Sequence, residues 1–233
     1  MSDAAPPLLV DAPREGVLRL RLNRPERHNA VDAGLLAALH AALERPAARA
    51  VLIGSATPGQ FCSGADLSIA DDERAAVSDG LYELYRRILA LDVPVLAALS
   101  GPAVGGGAQL AIACDLRVAT PAACLRFVGP GHGLAVGSWG LPALVGRGRA
   151  IDLCLTGRRV GAEEALAMGL IDRVAVDADA AALALAAELA TLDPRAVARV
   201  KAIVGRAVEA HEALELEAAG NRAWAGAVSA RRL

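Results

Sequence analysis

Three consecutive glycines, Gly105 to Gly107, lie within the run Gly101–Asp115 and offer the clearest chemistry in this chain. They follow a buried-strand pattern, Pro94 to Leu99, and precede an apolar helical run. Glycines at such a junction let a ligand approach the backbone, and the following helix presents N–H groups without acceptors. N–H groups aimed at one point form an oxyanion hole, the device that stabilises a carbonyl oxygen as it gains charge. One helical turn beyond Gly106 stands Gln109. Its amide can hydrogen-bond water but has no protonation change to offer near neutral pH.

A second segment of the same kind is Phe61–Leu67. Gly64 and Ala65 there would expose an N–H to a ligand at the start of a helix, with Asp66 as a local cap. An ordinary helix-start turn would have the same residues. A phosphate-binding P-loop needs Lys and Ser/Thr after its last glycine, whereas Gly107 and Ala108 follow here, and the spacing does not match G-x-G-x-x-G. Close backbone approach remains for the triple glycine, or a simple tight turn.

Groups able to move a proton are scarce nearby. From Leu116 through Ile151 there is no Asp or Glu, and no Glu lies between Glu83 and Glu163. His132, in the glycine-rich run Gly129–Gly133, titrates in the useful range but suits an ordinary loop equally well. Ser138 and Trp139 fit a pocket wall or a core. Cys114 and Cys124 sit in apolar contexts and fit the core.

The chain must hold these residues with an aliphatic, alanine-rich interior, since 55% of its 233 residues are hydrophobic and only 3% aromatic. That length suffices for one substantial core. A net charge of −2, from 24 basic and 26 acidic residues, offers no field for nucleic acid or an anionic membrane. No apolar run reaches a membrane span, and Met1 is followed by a polar, proline-containing stretch unlike a signal peptide. Four cysteines without metal-ligand spacing suit a reducing cytoplasm.

Apolar alternation predicts a strand over Val17–Leu22, followed by a loop at Asn23–Asn29 and a helix ending at Leu43 behind the cap Asp32. Further strands are expected at Val51–Ile53, Pro94–Leu99, Leu116–Val118 and Cys124–Phe127. Helices are expected at Leu81–Leu91, Ala108–Cys114 and Ala162–Met168. Residues 128–148 have the composition of a loop, and from Ala178 the pattern is helical with a break at Asp193–Pro194. Alternating strands and helices predict a parallel α/β core over residues 1–175 and a helical region over 176–233.

Four segments taken in order, Leu22–Ala30, Phe61–Leu67, Pro94–Gly107 and Leu155–Ile171, resemble the signatures of the enoyl-CoA hydratase/isomerase (crotonase) family, and the resemblance spans nearly the whole chain. It implies an α/β spiral of ββα turns with a C-terminal helical trimerisation region, giving a trimer or a dimer of trimers. It implies an acyl-CoA or enoyl-CoA thioester as ligand, with coenzyme A entering as part of the substrate and no separate cofactor or metal. By the same resemblance, Ala65 and Gly106 are the oxyanion N–H donors. The Arg24–Ala30 loop and the stretch Ser63, Gly64, Ala65, Asp66 and Leu67 line the coenzyme, with Arg24 or Arg27 meeting phosphate or simply facing solvent. Gly105 and Trp139 complete the binding surface.

The resemblance breaks at the two glutamates that family hydratases use to position water and pass its proton. Their positions fall on Gln109 and Gly131. The implied activity is thioester binding without ordinary hydratase turnover; the alternative is an active hydratase or isomerase of fatty-acid metabolism with His132 as base. Asp115 fits a structural hydrogen-bonding role. The amphipathic stretch Ala207–Glu217 suits packing on another subunit or on its own core, and the sequence ends at Arg231–Leu233 where relatives carry a basic, proline-containing tail.

Overall fold

The computed structural model describes residues 5–207, 214, 215, 217–219, 221 and 222. In chain order the strands are β1 (Leu8–Arg14), β2 (Val17–Leu22), β3 (Ala50–Ser55), β4 (Val95–Leu99), β5 (Ala103–Val104), β6 (Leu116–Ala119), β7 (Cys124–Arg126), β8 (Val160–Gly161) and β9 (Arg173–Val174). The helices are α1 (Ala33–Leu43), α2 (Asp71–Ala90), α3 (Gly106–Ala113), α4 (Leu141–Val145), α5 (Arg147–Thr156), α6 (Ala162–Ala167), α7 (Ala178–Leu189) and α8 (Pro194–Ala207). A six-stranded sheet has the order β1-β2-β3-β4-β6-β9, antiparallel only between β1 and β2, and a small sheet has the order β5-β7-β8.

Both faces of the central parallel strands β3 and β4 are buried, which explains their unbroken apolar runs. On one face Leu20, Ile53, Leu99 and Phe61 pack with α1, α2 and α3. On the other, Leu52, Leu96 and Val118 meet Ala182, Leu185 and Ala186 of α7, whose alanines let that helix lie close to the sheet. Each large side chain buried in this way contributes about 1.5–3 kcal/mol.

This topology brings two distant segments together. β3 and β4 run parallel with Val51 opposite Val95, so the chain leaves both at the same end of the sheet. From there Cys62 pairs with Ala103 and Ala65 with Val31, which sets the 61–66 segment alongside the strand leading into α3.

Several expectations are corrected. No helix starts at Asp66; the Asp66 carboxylate accepts from the Ser68 N–H (3.0 Å) and hydroxyl (2.6 Å), closing a turn, and α2 begins at Asp71. That helix is longer than its apolar periodicity indicated, because its first turn, with Asp71, Asp72 and Glu73, is polar and suits a helix N-terminus. β1 is an additional edge strand, whose residues after Leu8 alternate between half-buried and exposed and so carry little apolar signal. Residues 128–148 hold α4 and the start of α5, not loop alone. The break at Asp193–Pro194 is a helix start, with the Asp193 side chain accepting from the Ala196 N–H at 2.8 Å. Asp32 caps α1 as expected, accepting from the Leu35 N–H at 2.9 Å. Of Ala207–Glu217, residues 208–213 and 216 lie outside the described residues, as does Arg231–Leu233.

Candidate functional site

An open cleft with a cavity of about 80 Å³ lies where the 61–66 segment meets the N-terminus of α3. Its floor is backbone. In the parallel pairing with Val31, the Gly64 carbonyl accepts from the Val31 N–H (2.7 Å) and the Asp66 N–H donates to the Val31 carbonyl (2.9 Å). Extended backbone alternates direction, so the Ala65 N–H faces the other way. Gly106 opens α3, where N–H groups have no intrahelical acceptor. Among the described residues no acceptor takes either N–H.

The two donors are neighbours because Gly64 has no side chain. Its φ is +92°, and a Cβ there would stand 2.9 Å from both the Gly106 nitrogen and the Val104 oxygen. Gly107 serves the same approach, since its Cβ would fall 2.1 Å from the Cys62 carbonyl oxygen. The Tyr85 hydroxyl donates to the Gly106 carbonyl at 2.8 Å and steadies this turn, and burial holds that phenol well above its ordinary range. Burial also pushes the Cys62 thiol up to about 11, an inert group beneath the floor.

The rear of the cleft is built from side chains. The Gln109 carbonyl oxygen accepts from the Gly137 N–H (3.1 Å) and the Trp139 indole N–H (2.9 Å), which leaves its amide nitrogen on the side of Tyr82. Both oxygen partners are obligate donors, which fixes the amide's orientation. Tyr82 bonds Glu217 (2.9 Å) and Asn221 (2.7 Å). Glu217 is 4% exposed and accepts in addition from the Gly137 N–H (3.1 Å), the Trp139 N–H (3.1 Å) and the Ser138 hydroxyl. Burial raises its pKa above the ordinary glutamate value, against the lowering effect of these donors.

Ser63, Gly64, Ala65, Leu67, Gly105, Gly106, Gln109 and His132 therefore share one cleft. Gly131 is outside it, exposed on a short 3₁₀ turn at Pro130–His132, and a Cβ there would meet nothing within 4 Å. Trp139 stands behind Gln109, stacked on Tyr85 at 6.2 Å between ring centroids, and does not line the opening. Arg24 is committed within the protein, paired with Asp32 (2.9 Å) and Asp66 (3.2 Å) and donating to the Ala30 carbonyl. Burial would raise the Asp66 carboxyl, but Ser68 and Arg24 together hold it below its ordinary value. Ala30 is buried, whereas Arg27 is exposed close to Ser63, whose hydroxyl donates to the Arg27 carbonyl at 3.4 Å. Asp115 has a structural role, accepting from the Val95 N–H and from Lys201, each at 2.7 Å.

Tyr82, Glu217 and Asn221 were not singled out from sequence. Tyr82 is one of two tyrosines, and Glu217 and Asn221 have helical i, i+4 spacing, but neither signal points to the cleft. Among the described residues no group of His, Cys, Asp and Glu could hold a metal, and no helix is long and apolar enough to cross a membrane.

The family model for enoyl-CoA hydratase/isomerase matches residues 13–223. The Mycobacterium leprae protein named probable enoyl-CoA hydratase echA6 is 40% identical over 201 residues, covering 82% of this chain and 79% of its own. The crystal structure of an enoyl-CoA hydratase from Bacillus anthracis superposes with a TM-score of 0.79 at 32% identity, covering 92% of this chain and 89% of that one. An enoyl-CoA hydratase/isomerase from Xanthobacter autotrophicus Py2 gives a TM-score of 0.83 at 30% identity, covering 96% and 89%. The mixed α/β fold, the ordered motifs and these likenesses agree: the chain belongs to the enoyl-CoA hydratase/isomerase (crotonase) family.

Proposed function

We propose that this protein binds an acyl-CoA thioester with the carbonyl oxygen between the Ala65 and Gly106 N–H groups, and that it does not carry out ordinary hydratase turnover. One observation carries the reading: two adjacent backbone donors with no acceptor among the described residues stand beside a glutamine whose oxygen already accepts two hydrogen bonds. The donors supply the thioester-binding and enolate-stabilising half of the chemistry, about 3–4 kcal/mol per donor. The proton-transfer half, roughly 10²–10⁴-fold per positioned group, lacks carboxylates at both family positions, Gln109 and Gly131. Arg27 is placed to meet a coenzyme phosphate, while Arg24 shapes the loop through Asp66. Exposed Val200, Ile203 and Val204 on α8 support self-association of the chain.

Calorimetric titration with butyryl-CoA and crotonyl-CoA tests the proposal. Comparable affinities are expected, with no loss of crotonyl-CoA absorbance. Turnover at a kcat on the order of 1–10³ s⁻¹ would overturn it. The second reading, an active hydratase or isomerase, is favoured by His132 lining the cleft. It requires that H132A abolish turnover while leaving thioester affinity intact.

A further inference from the structure

The hydrogen bonds behind the cleft have a direction that the atoms themselves dictate. Backbone and indole N–H groups only donate. The Ala135 N–H donates to the Asn221 side-chain oxygen at 3.0 Å, which turns the Asn221 amide nitrogen toward the Tyr82 oxygen at 2.7 Å. The Gly137 N–H and the Trp139 indole hold the Gln109 oxygen, which leaves its amide nitrogen on the side of Tyr82. With the Asn221 amide aimed at its oxygen, the Tyr82 hydroxyl directs its own proton to Glu217 at 2.9 Å, closer than the Ala135 carbonyl at 3.4 Å. Each Glu217 oxygen also receives an obligate backbone donor, Gly137 for one and Trp139 for the other, and Ser138 completes the set. The Asn221 amide also donates to the Ala135 carbonyl at 2.5 Å, but the Tyr82, Gly137, Ser138 and Trp139 donors converge on one carboxylate, brought in from the C-terminal part of the chain.

We propose that Glu217 is a positioning residue for this cleft, whose carboxylate takes the Tyr82 proton and shares the Gly137 N–H with Gln109, and so admits only a neutral amide at position 109. The Gly137 N–H lies 3.1 Å from an oxygen of each residue, so these two oxygens are no more than about 6 Å apart, within the range of strong like-charge repulsion. A glutamate at 109 would place a second carboxylate beside the first, with an oxygen facing a Tyr82 oxygen whose proton is already committed. The absence of the family carboxylate at 109 and the presence of Glu217 are one arrangement. Glu217 also holds residues 137–139, the wall against which Gln109 and Trp139 rest.

The proposal predicts a rescue. In E217Q the new amide nitrogen meets donors, leaving a backbone N–H short of an acceptor. In Q109E/E217Q the network reverses consistently: Tyr82 donates to the carboxylate at 109, the amide at 217 donates to Tyr82, and the Gly137 N–H goes wholly to 109. Thermal melting of the four full-length proteins at pH 7 reads this cycle. Q109E and E217Q should each lower the melting temperature by roughly 5 °C, and the double variant should return to within about 2 °C of the parent. A double variant showing the sum of the single losses, or failing to fold, would overturn the proposal. If Q109E alone does not fold, recovery of folded protein on adding E217Q supports it equally.

The binding consequence rests on the proposed acyl-CoA function. Butyryl-CoA affinity should fall about tenfold in Q109E and recover in the double variant. Lack of butyryl-CoA binding by the parent would refute that function, while the melting cycle would still decide the role of Glu217.

Discussion

The front and the rear of the cleft are made of different material. The front is main chain, two N–H groups that come together because Gly64 and Gly107 have no side chains to keep them apart. The rear is side chain: Asn221 donates to Tyr82 and Tyr82 to Glu217, while Gln109 and Glu217 share the Gly137 N–H. A backbone site depends on local conformation and tolerates change in nearly every side chain except its glycines. A side-chain network depends on partners more than a hundred residues away, and a change in one member forces a matching change in another.

Breaking the front should have the largest effect. G64A places a Cβ 2.9 Å from the Gly106 nitrogen at a φ of +92°, and a loss of roughly 3–5 kcal/mol is expected from strain and overpacking together. Chemical denaturation should read that loss, and acyl-CoA binding should disappear with it. A G64A protein of parental stability and affinity would show that the two donors do not depend on this close approach.

Arg24 and Arg27 separate structure from recognition within the front loop. R24A leaves the buried Asp66 without its cation and should cost about 2–3 kcal/mol of stability. R27A should leave the melting temperature unchanged and weaken acyl-CoA binding severalfold, as measured by calorimetry. Exchange of these two outcomes would reassign the phosphate contact to Arg24.

At the rear, W139F keeps a ring against Tyr85 but removes the indole donor to Gln109. A loss of about 1 kcal/mol is expected, because Gly137 still holds the same oxygen. A loss no greater than that of a surface substitution would mean that the indole bond contributes nothing to the wall.

The two halves should also answer pH with opposite signs. Glu217 has a raised folded-state pKa, caused by burial. Its contribution to stability is complete below the unfolded value and declines as pH rises through the folded one. Asp66 has a lowered folded-state pKa: burial opposes its ionisation, but Ser68 and Arg24 outweigh that effect. Its contribution is present above the unfolded value and is lost as pH falls through the folded one. Melting temperatures across pH should therefore show the parent losing ground to E217Q on the alkaline side of the ordinary glutamate range. It should lose ground to D66N on the acid side of the ordinary aspartate range. Parallel trends in the two comparisons would contradict the assigned causes.

The parallel strands, the cap at Asp32 and the glycine segments were legible because each depends on neighbours within a few residues. Buried parallel strands are continuous apolar runs, helix caps are single polar residues, and close backbone approach requires glycine. Helix α2 was only half legible, since its polar first turn carries no apolar period.

Sequence by itself determined the family, the two donor segments and the absence of a glutamate at position 109, because motif order, glycine placement and residue identity are one-dimensional facts. Only the tertiary structure decided that Gly131 lies outside the cleft, that Arg24 is spent on Asp32 and Asp66, and that Glu217 stands behind Gln109. Hydrogen-bond direction is a property of atoms in contact, and the contacts joining residues 82, 109, 137 and 217 exist only after the sheet has gathered its strand ends and Glu217 has come to stand behind them.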